Sequence, residues 1–436
     1  MNAKYRISLV TALLPLALAL QSCLARAEAP TAPVADGTTD ATGSIQKMLD
    51  AQAATGGEVR LPPGIFLING SLEIPVGVAL CGSWIAPHHG STWQKGTTLL
   101  ITGGRGSEDA PAAIRMRGNA AVEGLTMLWP EQLAAHIAPY PWAIHGMGDH
   151  DTIENVTLVN AYQGIKVGEP QGSLHLIRNV FGCVLRRGVL VDDTTDIGRI
   201  ENVHFNPHYW GGSGHPSRGT AADYRQAVSF LQTNLEGFIF ARSDWEYVTN
   251  TFIWGGKSGY LFVKTKAGAC NGQFLGIGAD FCEACVRIDS IQPIGIQVTN
   301  GEFTAFAGEP NSAIVTSTSA AGAAQFVNCN FWGVKNHIAW MQGTTAVTLS
   351  DCHICDPLPA GAVLAERGRL ILRGCTFDQS YLTAILKLGV TAAIIAENLQ
   401  PGGVRIDNQI GSRAVIGLNQ EPDSATPHAT AGAPSP

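Results

Sequence analysis

The sequence predicts an all-β fold class: a single-stranded, right-handed parallel β-helix (a solenoid) with an N-terminal capping helix. The chain repeats with a period of about 23 residues, and its short apolar runs alternate with a period of two. Glycine is abundant, at 50 of 436 residues, whereas charged residues make up only 14%. Equal periods of this length indicate stacked supersecondary units, and period-two alternation favours strands over helices.

Each repeat is marked by an apolar residue that closes a short run and is followed by glycine or polar residues. Successive markers are 47, 47, 29, 22, 28, 23 and 23 residues apart. We interpret each step of 47 as two coils, the first passing near Gly182 and the second near Phe230. The markers, which predict one inward-facing column, are Leu158, Phe205, Phe252, Phe281, Phe303, Phe331, Ile354 and Phe377.

The N-terminal segment predicts the first coils and their cap. The sequence DGTTD at 36–40 leads into an amphipathic helix over 44–54, and the runs at 56–67 and 72–80 predict strands. A helix at the open end of the coil would cover apolar side chains and unpaired strand edges.

These motifs, over about residues 36–83, resemble the opening of the pectate-lyase superfamily of β-helix proteins. Residues 244–303 resemble uncharacterised bacterial members of the same superfamily. The resemblance implies a protein of the glycoside hydrolase or polysaccharide lyase type. Of the polygalacturonase signatures of this superfamily, only Asp192-Asp193 has a superficial counterpart here.

Lys4 and Arg6 precede an apolar run and a small-residue cleavage motif, which together predict a secretory signal peptide. The protein is therefore expected in the periplasm or outside the cell. A lipobox-like sequence at Cys23 leaves lipid anchoring open as its one route to a membrane. The predicted organisation is a signal peptide at 1–27, a linker at 28–35, one β-helix domain at 36–419 with its cap at about 36–60, and a disordered tail at 420–436.

Two C-x-x-C pairs invite a zinc interpretation: Cys282 with Cys285, and Cys352 with Cys355. However, Cys329, Cys352 and Cys375 recur every 23 residues, each two positions before a marker. This spacing predicts an inward-facing stack in which cysteine acts as a small apolar residue. We therefore expect core packing and no metal site, with a disulfide as the alternative.

The residue before each marker should face solvent, and this column contains Asp280 and Glu302. Stacked coils are about 4.8 Å apart, so we expect the two carboxylates side by side. A separation of about 5 Å suits the acid/base and nucleophile of a retaining glycosidase. The alternative is a solvated polar ladder.

A second acidic pair, Asp244 and Glu246, is expected on one face of a strand with Trp245 on the other. It is the next catalytic candidate. Trp245 would then either stack on a sugar or pack in the core.

An irregular insert at 206–220 interrupts the repeat and predicts a binding face. Aromatic rings stack on sugars, and histidine or arginine side chains donate to hydroxyls. An ordinary surface loop is the alternative, and a second insert at 128–142, with His145, is expected to form the opposite wall. The substrate-binding candidates are His204, His208, Tyr209, Trp210, His215, Arg218, Trp245, Trp254 and Lys257.

The leading functional hypothesis is an exported glycoside hydrolase acting on a polysaccharide or oligosaccharide. The first alternative is a polysaccharide lyase, for which Asp192, Asp193 and Asp196 could bind calcium. Its base would come from Arg186, Arg187, Arg218 or Lys257. The second alternative is a non-catalytic glycan-binding surface protein. No other cofactor is expected, a net charge of −7 argues against nucleic acid, and the chain is expected to be a monomer or a homotrimer.

Overall fold

A computed structural model describes residues 32–87, 93–307, 311–334, 336–356 and 358–422. The predicted signal peptide, with Cys23, lies outside the described residues. So does the predicted tail from residue 423 onward, whereas Gln420 pairs with Leu399 in a parallel bridge.

The described chain consists mainly of short strands. In the N-terminal half these are Asp36–Asp40, Gly57–Arg60, Gly64–Ile68, Leu72–Ile74, Val78–Cys81, Thr97–Ile101, Ile114–Met116, Ala121–Leu128, Trp142–Gly146, Thr152–Val167, Gly172–Ser173, Leu176–Val191, Thr194–Thr195 and Arg199–Phe205. In the C-terminal half they are Glu236–Phe240, Ser243–Thr249, Phe252–Phe262, Cys270–Leu275, Gly278–Ile288, Ile296–Thr299, Glu302–Thr304, Ser312–Thr316, Ala323–Val327, Asn330–Trp332, His337–Met341, Ala346–Ser350, His353–Ile354, Val363–Arg373, Thr376–Phe377, Ala384–Ala396, Ile406–Asn408 and Ala414–Gly417.

These strands form a right-handed solenoid of about 15 coils, as the sequence predicts. One coil shows the plan: Glu302–Thr304 lies on the first face, Ser312–Thr316 on the second and Ala323–Val327 on the third. Each strand pairs in parallel with its equivalent in the next coil. The first face carries the marker residues and, on its outer surface, the candidate site.

The register of the first face corrects two predicted markers. Phe205 pairs with Ile253, which pairs in turn with Ala279. Phe252 therefore lies on the outer surface, where it pairs with His204. Phe281 also leaves the column, because its backbone turns to φ +57 and its half-buried ring lies outside the coil. The remaining markers form the inward column as predicted: Leu158, Phe205, Phe303, Phe331, Ile354 and Phe377.

The second step of 47 is also not a double coil. Whereas Leu158 reaches Phe205 through an intermediate coil at Gly182, the chain after Phe205 forms a helical insert within one coil. The insert contains the helices α2 (His208–Gly211) and α3 (Ala221–Asn234) and a 3₁₀ turn at Pro216–Arg218. Phe230, predicted near a coil marker, lies within α3.

The predicted N-terminal helix is present as α1 (Thr42–Gln52), with Ile45 and Leu49 buried. The Gln46 side-chain amide donates to Glu73 O and accepts from Glu73 N, at 2.9 and 2.8 Å. This amide thus satisfies the edge of the strand Leu72–Ile74, which has no strand partner on that side. No helix in the described part of the chain has the length and apolarity to cross a membrane.

The core is a continuous apolar stack inside the coil, and the predicted cysteine column is part of it. Cys329, Cys352 and Cys375 are at most 2% exposed. Of the nine described cysteines, which are all free thiols, eight are buried and Cys355 is half-exposed. The C-x-x-C pattern at 352–355 therefore has one cysteine inside the coil and the other outside.

An asparagine ladder forms the corner between the third and first faces. Asn155, Asn179 and Asn202 have φ between +53 and +57. Asn179 donates to Asn155 at 3.0 Å, and Asn202 donates to Asn179 at 2.8 Å. Asparagine tolerates this left-handed conformation better than most residues, so the ladder sets the turn angle in each coil.

Candidate functional site

The outer surface of the first face carries an open cleft of about 440 Å³. Its floor is the backbone around Gly278 and Ala279, where side chains are small or absent. Phe252 and Trp332 lie at its two ends along the solenoid axis. The cleft is lined by Asn250, Thr251, Phe252, Gly276, Ile277, Gly278, Ala279, Asp280, Asn300, Glu302, Thr304 and Trp332.

Both predicted catalytic carboxylates, Asp280 and Glu302, line this cleft, but not as direct neighbours. Glu302 pairs with Gly278, so Asp280 falls opposite Thr304. Paired Cα atoms in adjacent coils are about 4.8 Å apart, and Cα atoms of alternate residues in one strand are about 6.7 Å apart. The Cα atoms of Asp280 and Glu302 differ by both steps and therefore lie diagonally, at roughly 8 Å. The predicted side-by-side stack is wrong because Phe281 does not occupy the marker position.

Each carboxylate has one hydrogen-bond donor within the cleft. The Thr304 hydroxyl donates to Asp280 Oδ1 at 2.5 Å, and the Trp332 indole N–H donates to Glu302 Oε1 at 2.9 Å. Asp280 is half-buried and Glu302 is exposed. Sequence reasoning missed Thr304 and Trp332, although both directly follow a marker.

An outer aromatic row runs beside the carboxylates. Trp254 stacks on Phe281 with ring centroids 5.0 Å apart and planes at 7°. Phe306 links Phe281 to Trp332, at centroid distances of 6.1 and 5.9 Å. The row thus supplies flat apolar surface next to the acids.

Of the predicted binding residues, Trp254 belongs to the aromatic row, and exposed His208 stacks on it at 6.5 Å. His204 contacts the cleft residue Phe252 edge-on at 5.2 Å, and its Nδ1 lies 3.0 Å from the Tyr209 hydroxyl. Lys257 is exposed and does not line the cleft.

The insert at 206–220 contributes differently from the prediction. Tyr209 and Trp210 are 2% and 0% exposed, so they cannot provide open stacking surfaces. Trp210 donates to the buried Ser217 hydroxyl at 3.1 Å and forms the core of the insert. Arg218 covers the ring of Tyr224 at 5.6 Å from its centroid.

The two predicted inserts contact each other instead of facing across the cleft. The Ala134 N–H donates to Ser217 O at 2.9 Å. His215 packs edge-on against Trp93 from a third loop, with ring centroids 5.1 Å apart, and burial lowers the His215 pKa. The insert at 206–220 approaches the cleft through Tyr209, whose partner His204 contacts Phe252.

The predicted pair Asp244 and Glu246 does not converge. Trp245 has φ +54, and the ladder gains one residue between Ser243 and Glu246. This bulge interrupts the alternation, so Trp245 is 58% exposed while Glu246 is 0% exposed. Glu246 Oε1 lies 3.0 Å from His175 Nε2, and Oε2 accepts from the Ser243 hydroxyl at 2.6 Å.

Asp244 stays outside but is engaged by a cation. Arg242 donates to it at 2.6 Å, and the amides of Asn271 and Gln292 donate at 3.0 and 2.7 Å. The hydrogen bond from Arg242, ahead of the other donors, lowers the Asp244 pKa. Trp245 faces a separate groove on the third face. Neither Asp244 nor Trp245 lines the first-face cleft.

Three of the candidate lyase residues are engaged away from the first-face cleft. Arg186 pairs with Glu236 at 3.0 Å, and Arg187 donates to Gln163 at 2.8 Å. Asp192 is buried and accepts from Asp193 N, Arg242 N and the Thr265 hydroxyl at 2.8–3.1 Å. Asp192 therefore supports a turn between coils and is not an open calcium ligand.

One polar cluster was not predicted. His353, Cys355 and Asp378 lie on the outer surface of the first face, beyond Trp332. Burial, followed by the charge of Asp378, raises the pKa of the Cys355 thiol to about 12. The sequence contained a signal for this cluster. His353 and Cys355 flank the marker Ile354, and Asp378 follows Cys355 by 23 residues, which is the length of one coil.

Comparison with protein families supports the predicted resemblance. Residues 33–114 match the family model described as Rhamnogalacturonase A/epimerase, pectate lyase-like. A comparison with curated proteins finds no match. The chain is thus similar to pectate-lyase-like proteins in its first coils, and it has a parallel β-helix fold throughout the described residues.

Several solved structures are similar at low sequence identity. The N-terminal fragment of bacteriophage Phi29 gene product 12 has a TM-score of 0.52 at 11% identity, covering 86% of this chain and 68% of that one. The A-module of the Azotobacter vinelandii mannuronan C-5 epimerase AlgE6 has a TM-score of 0.42 at 13% identity, covering 91% and 98%. DFA-IIIase from Arthrobacter chlorophenolicus A6 has a TM-score of 0.44 at 10% identity, covering 84% and 92%. The first likeness is one of fold alone.

Proposed function

We propose that this protein is an exported glycoside hydrolase that cleaves a polysaccharide or oligosaccharide in the first-face cleft. The observation that carries the proposal is the placement of Asp280 and Glu302 in one open cleft between Phe252 and Trp332. The match of residues 33–114 to a model whose description includes a rhamnogalacturonase supports a carbohydrate substrate.

The Cα atoms of Asp280 and Glu302 lie diagonally at roughly 8 Å and not at about 4.8 Å as in a direct stack. We propose inversion over retention because this spacing allows the wider separation of carboxyl groups. Inverting glycosidases separate their carboxyl groups by about 6.5–9.5 Å, which leaves room for a water molecule, whereas retaining enzymes use about 5–5.5 Å. One carboxyl group donates its proton to the glycosidic oxygen as the C–O bond breaks. The other takes a proton from the water whose oxygen bonds to the anomeric carbon from the opposite side.

The charge of the cleft favours a neutral glycan. Among the residues that the structure describes, its lining includes two acids and no lysine or arginine. A uronate polymer would bring further negative charge beside Asp280 and Glu302 without a cation to offset the repulsion. Lyase chemistry also needs a base and a partner for the uronate carboxylate, but Arg186 is paired with Glu236.

The test is hydrolysis of a panel of neutral and acidic glycans, measured as reducing-end release. NMR should show that the first product has the anomeric configuration opposite to that of the substrate. Asp280→Asn and Glu302→Gln should each lower kcat by roughly 10² or more. Asp407→Asn is the matched control, since it removes an exposed carboxylate on another strand and should leave kcat unchanged.

Three outcomes would contradict the proposal. Unsaturated products would indicate β-elimination, and retained configuration would place the reacting carboxyl groups closer together. Glycan binding without turnover, unaffected by both cleft substitutions, would indicate a non-catalytic binding protein with a polar ladder.

A further inference from the structure

The outer cluster beyond Trp332 brings together three different metal-ligand types. His353 Nε2 lies 2.9 Å from Asp378 Oδ1, and Cys355 Sγ lies 3.8 Å from both His353 ring nitrogens. One ligand atom from each residue lies within 4.8 Å of the others. Within the described ranges, this is the one group of three or more histidine, cysteine or acidic side chains with such spacing.

The backbone holds all three residues in the regular ladder. His353 N donates to Cys329 O and Cys355 N to Phe331 O, both at 2.9 Å, and Asp378 N donates to Ile354 O at 3.0 Å. His353 and Cys355 are alternate residues, so they share the outer surface while Ile354 points into the core. The ligand positions are therefore preorganised before any ion binds.

The surrounding charge also favours a cation. The carboxylates of Asp378, Asp356 and Glu302 all act electrostatically on Cys355. Among the residues that the structure describes, none of the three forms an ion pair with lysine or arginine, in contrast to Asp244 with Arg242. This part of the surface carries negative charge that the described side chains do not balance.

We propose that His353, Cys355 and Asp378 form a Zn²⁺ site with a fourth coordination position open to water or another ligand. An imidazole nitrogen, a thiolate and one carboxylate suit zinc, whereas calcium and magnesium require mainly oxygen ligands. Zn–N and Zn–S bonds of about 2.0 and 2.3 Å at a tetrahedral angle separate the nitrogen and sulfur by about 3.5 Å, compared with the 3.8 Å observed. Binding would release the Cys355 thiol proton to solvent, whereas the His353 ring would bind through its unprotonated nitrogen and keep its proton on the other one.

A cysteine nucleophile with His353 as its base would use the same residues, but the geometry favours the metal. Cys355 Sγ is equidistant from the two ring nitrogens and thus has no directed hydrogen bond to either one.

The cluster lies two coils beyond Glu302, through the pairings of Glu302 with Asn330 and of Asn330 with His353. Two coil spacings amount to about 10 Å. The ion would therefore mark the C-terminal end of the cleft, and the site stands independently of whether the cleft cleaves a glycan.

The test uses cobalt as a spectroscopic substitute for zinc. The purified full chain, reduced and stripped of metal, should bind one equivalent of Co²⁺ at this site and show a thiolate-to-cobalt charge-transfer band, which Zn²⁺ abolishes. Cys355→Ser should remove the band, and His353→Gln and Asp378→Asn should each weaken cobalt affinity by at least roughly 10-fold. His136→Gln, which removes an exposed histidine elsewhere, is the control and should leave both unchanged.

Circular dichroism should confirm that each variant is folded, since all three side chains lie on the outside of the coil. Absence of the charge-transfer band in the parent would overturn the proposal. Persistence of the band in Cys355→Ser would assign the ion to another cysteine and would also overturn it. Neither result depends on glycan cleavage, so failure of this site and failure of the proposed hydrolase remain distinguishable.

Discussion

At the residue scale, backbone conformation decides which side chains reach the cleft. Trp245 and Phe281 both adopt positive φ, at +54 and +57. The first shift moves Glu246 into a buried contact with His175. The second moves Phe281 into the outer aromatic row and places Asp280 beside Thr304. Local backbone turns thus explain why Glu246 is buried, whereas Asp280 and Glu302 line the cleft.

Trp332 combines a stacking surface with a hydrogen bond to Glu302. Trp332→Phe keeps an aromatic ring but leaves Glu302 without its indole donor, so kcat should fall by roughly 10-fold. Trp332→Ala also removes the stacking surface and should raise KM by roughly 10-fold as well. Steady-state kinetics on the cleaved glycan separate the two effects.

Trp340 provides a matched control for this prediction, since its indole donates to Glu366 at 2.8 Å on the second face. Trp340→Phe should leave both kinetic constants unchanged. Equal effects at Trp332 and Trp340 would contradict a specific role for the cleft tryptophan.

Asp151 predicts a pH-dependent contribution to stability. Burial raises its pKa from 3.8 to about 6, although backbone N–H donors oppose the shift. Between about pH 4 and 6, Asp151 is therefore protonated in the native protein but ionised in the unfolded protein. Its contribution favours folding below pH 4 and is lost as pH rises through 6.

Asp151→Asn removes this titration. It also loses one hydrogen bond from a backbone N–H at every pH, because the amide nitrogen of asparagine cannot accept it. The unfolding free energy of the variant relative to the parent should increase from pH 4 to pH 7, by about 3 kcal/mol at most. Urea unfolding of both proteins across this range measures the difference. A difference that is constant with pH would contradict the assignment.

At the element scale, the chain must turn sharply between the strands of each coil, and the strand sequences themselves do not favour turns. The asparagine ladder supplies these corners between the third and first faces, and Gly374 has the same kind of backbone, with φ +65. The helical insert shows a different local solution. Thr220 and Asp223 form a capping box that begins α3, and Ala227 and Leu231 bury one side of it. Ala227 and Leu231 are four residues apart, which is the spacing of a helix and not of a strand. Phe230 therefore lies in a helix and not in the inward column of a coil.

The corner ladder can be tested at Asn202. Asn202→Ala places an ordinary side chain at φ +53 and removes the hydrogen bond to Asn179. The unfolding free energy should fall by about 1–2 kcal/mol. Asn202→Gly removes the same hydrogen bond without the conformational strain and should cost less, as measured by denaturant unfolding. A larger loss for glycine than for alanine would show that strain is not the dominant effect.

At the scale of the whole molecule, the solenoid has no single centre of packing. Each coil contacts mainly its two neighbours, so stability should be close to a sum of coil and interface contributions. The inward columns of successive coils, such as Phe303, Phe331 and Ile354, make these interfaces alike. The loops and inserts that carry function lie outside this stack and can vary without changing it.

Removal of one whole coil is therefore expected to be tolerated. Deleting residues 355–377 joins Ile354 directly to Asp378. Ile354 then takes the place of Phe377, with which it pairs in the parent, so the register is kept. The shortened chain should keep its β-rich circular dichroism and unfold cooperatively, with a denaturant m value reduced roughly in proportion to the residues removed. Deleting only 355–365 breaks the register and should prevent folding. Equal behaviour of the two deletions would contradict a coil-by-coil assembly.

Local sequence patterns predict the parallel β-helix, the N-terminal helix and the inward cysteine column, because each depends on the spacing of residues that are close together along the chain or recur at a fixed period. Those patterns also placed Asp280 and Glu302 on the outer surface, although Asp280 lies there because it follows the inward residue Ala279 and not because it precedes a marker at Phe281. The folded structure was needed to show that these acids are diagonal, that Glu246 and Trp210 are buried, and that His353, Cys355 and Asp378 lie close together. Pairing between coils depends on bulges and on the length of each loop, and a shift of one residue there moves a side chain to the opposite surface without changing the local pattern.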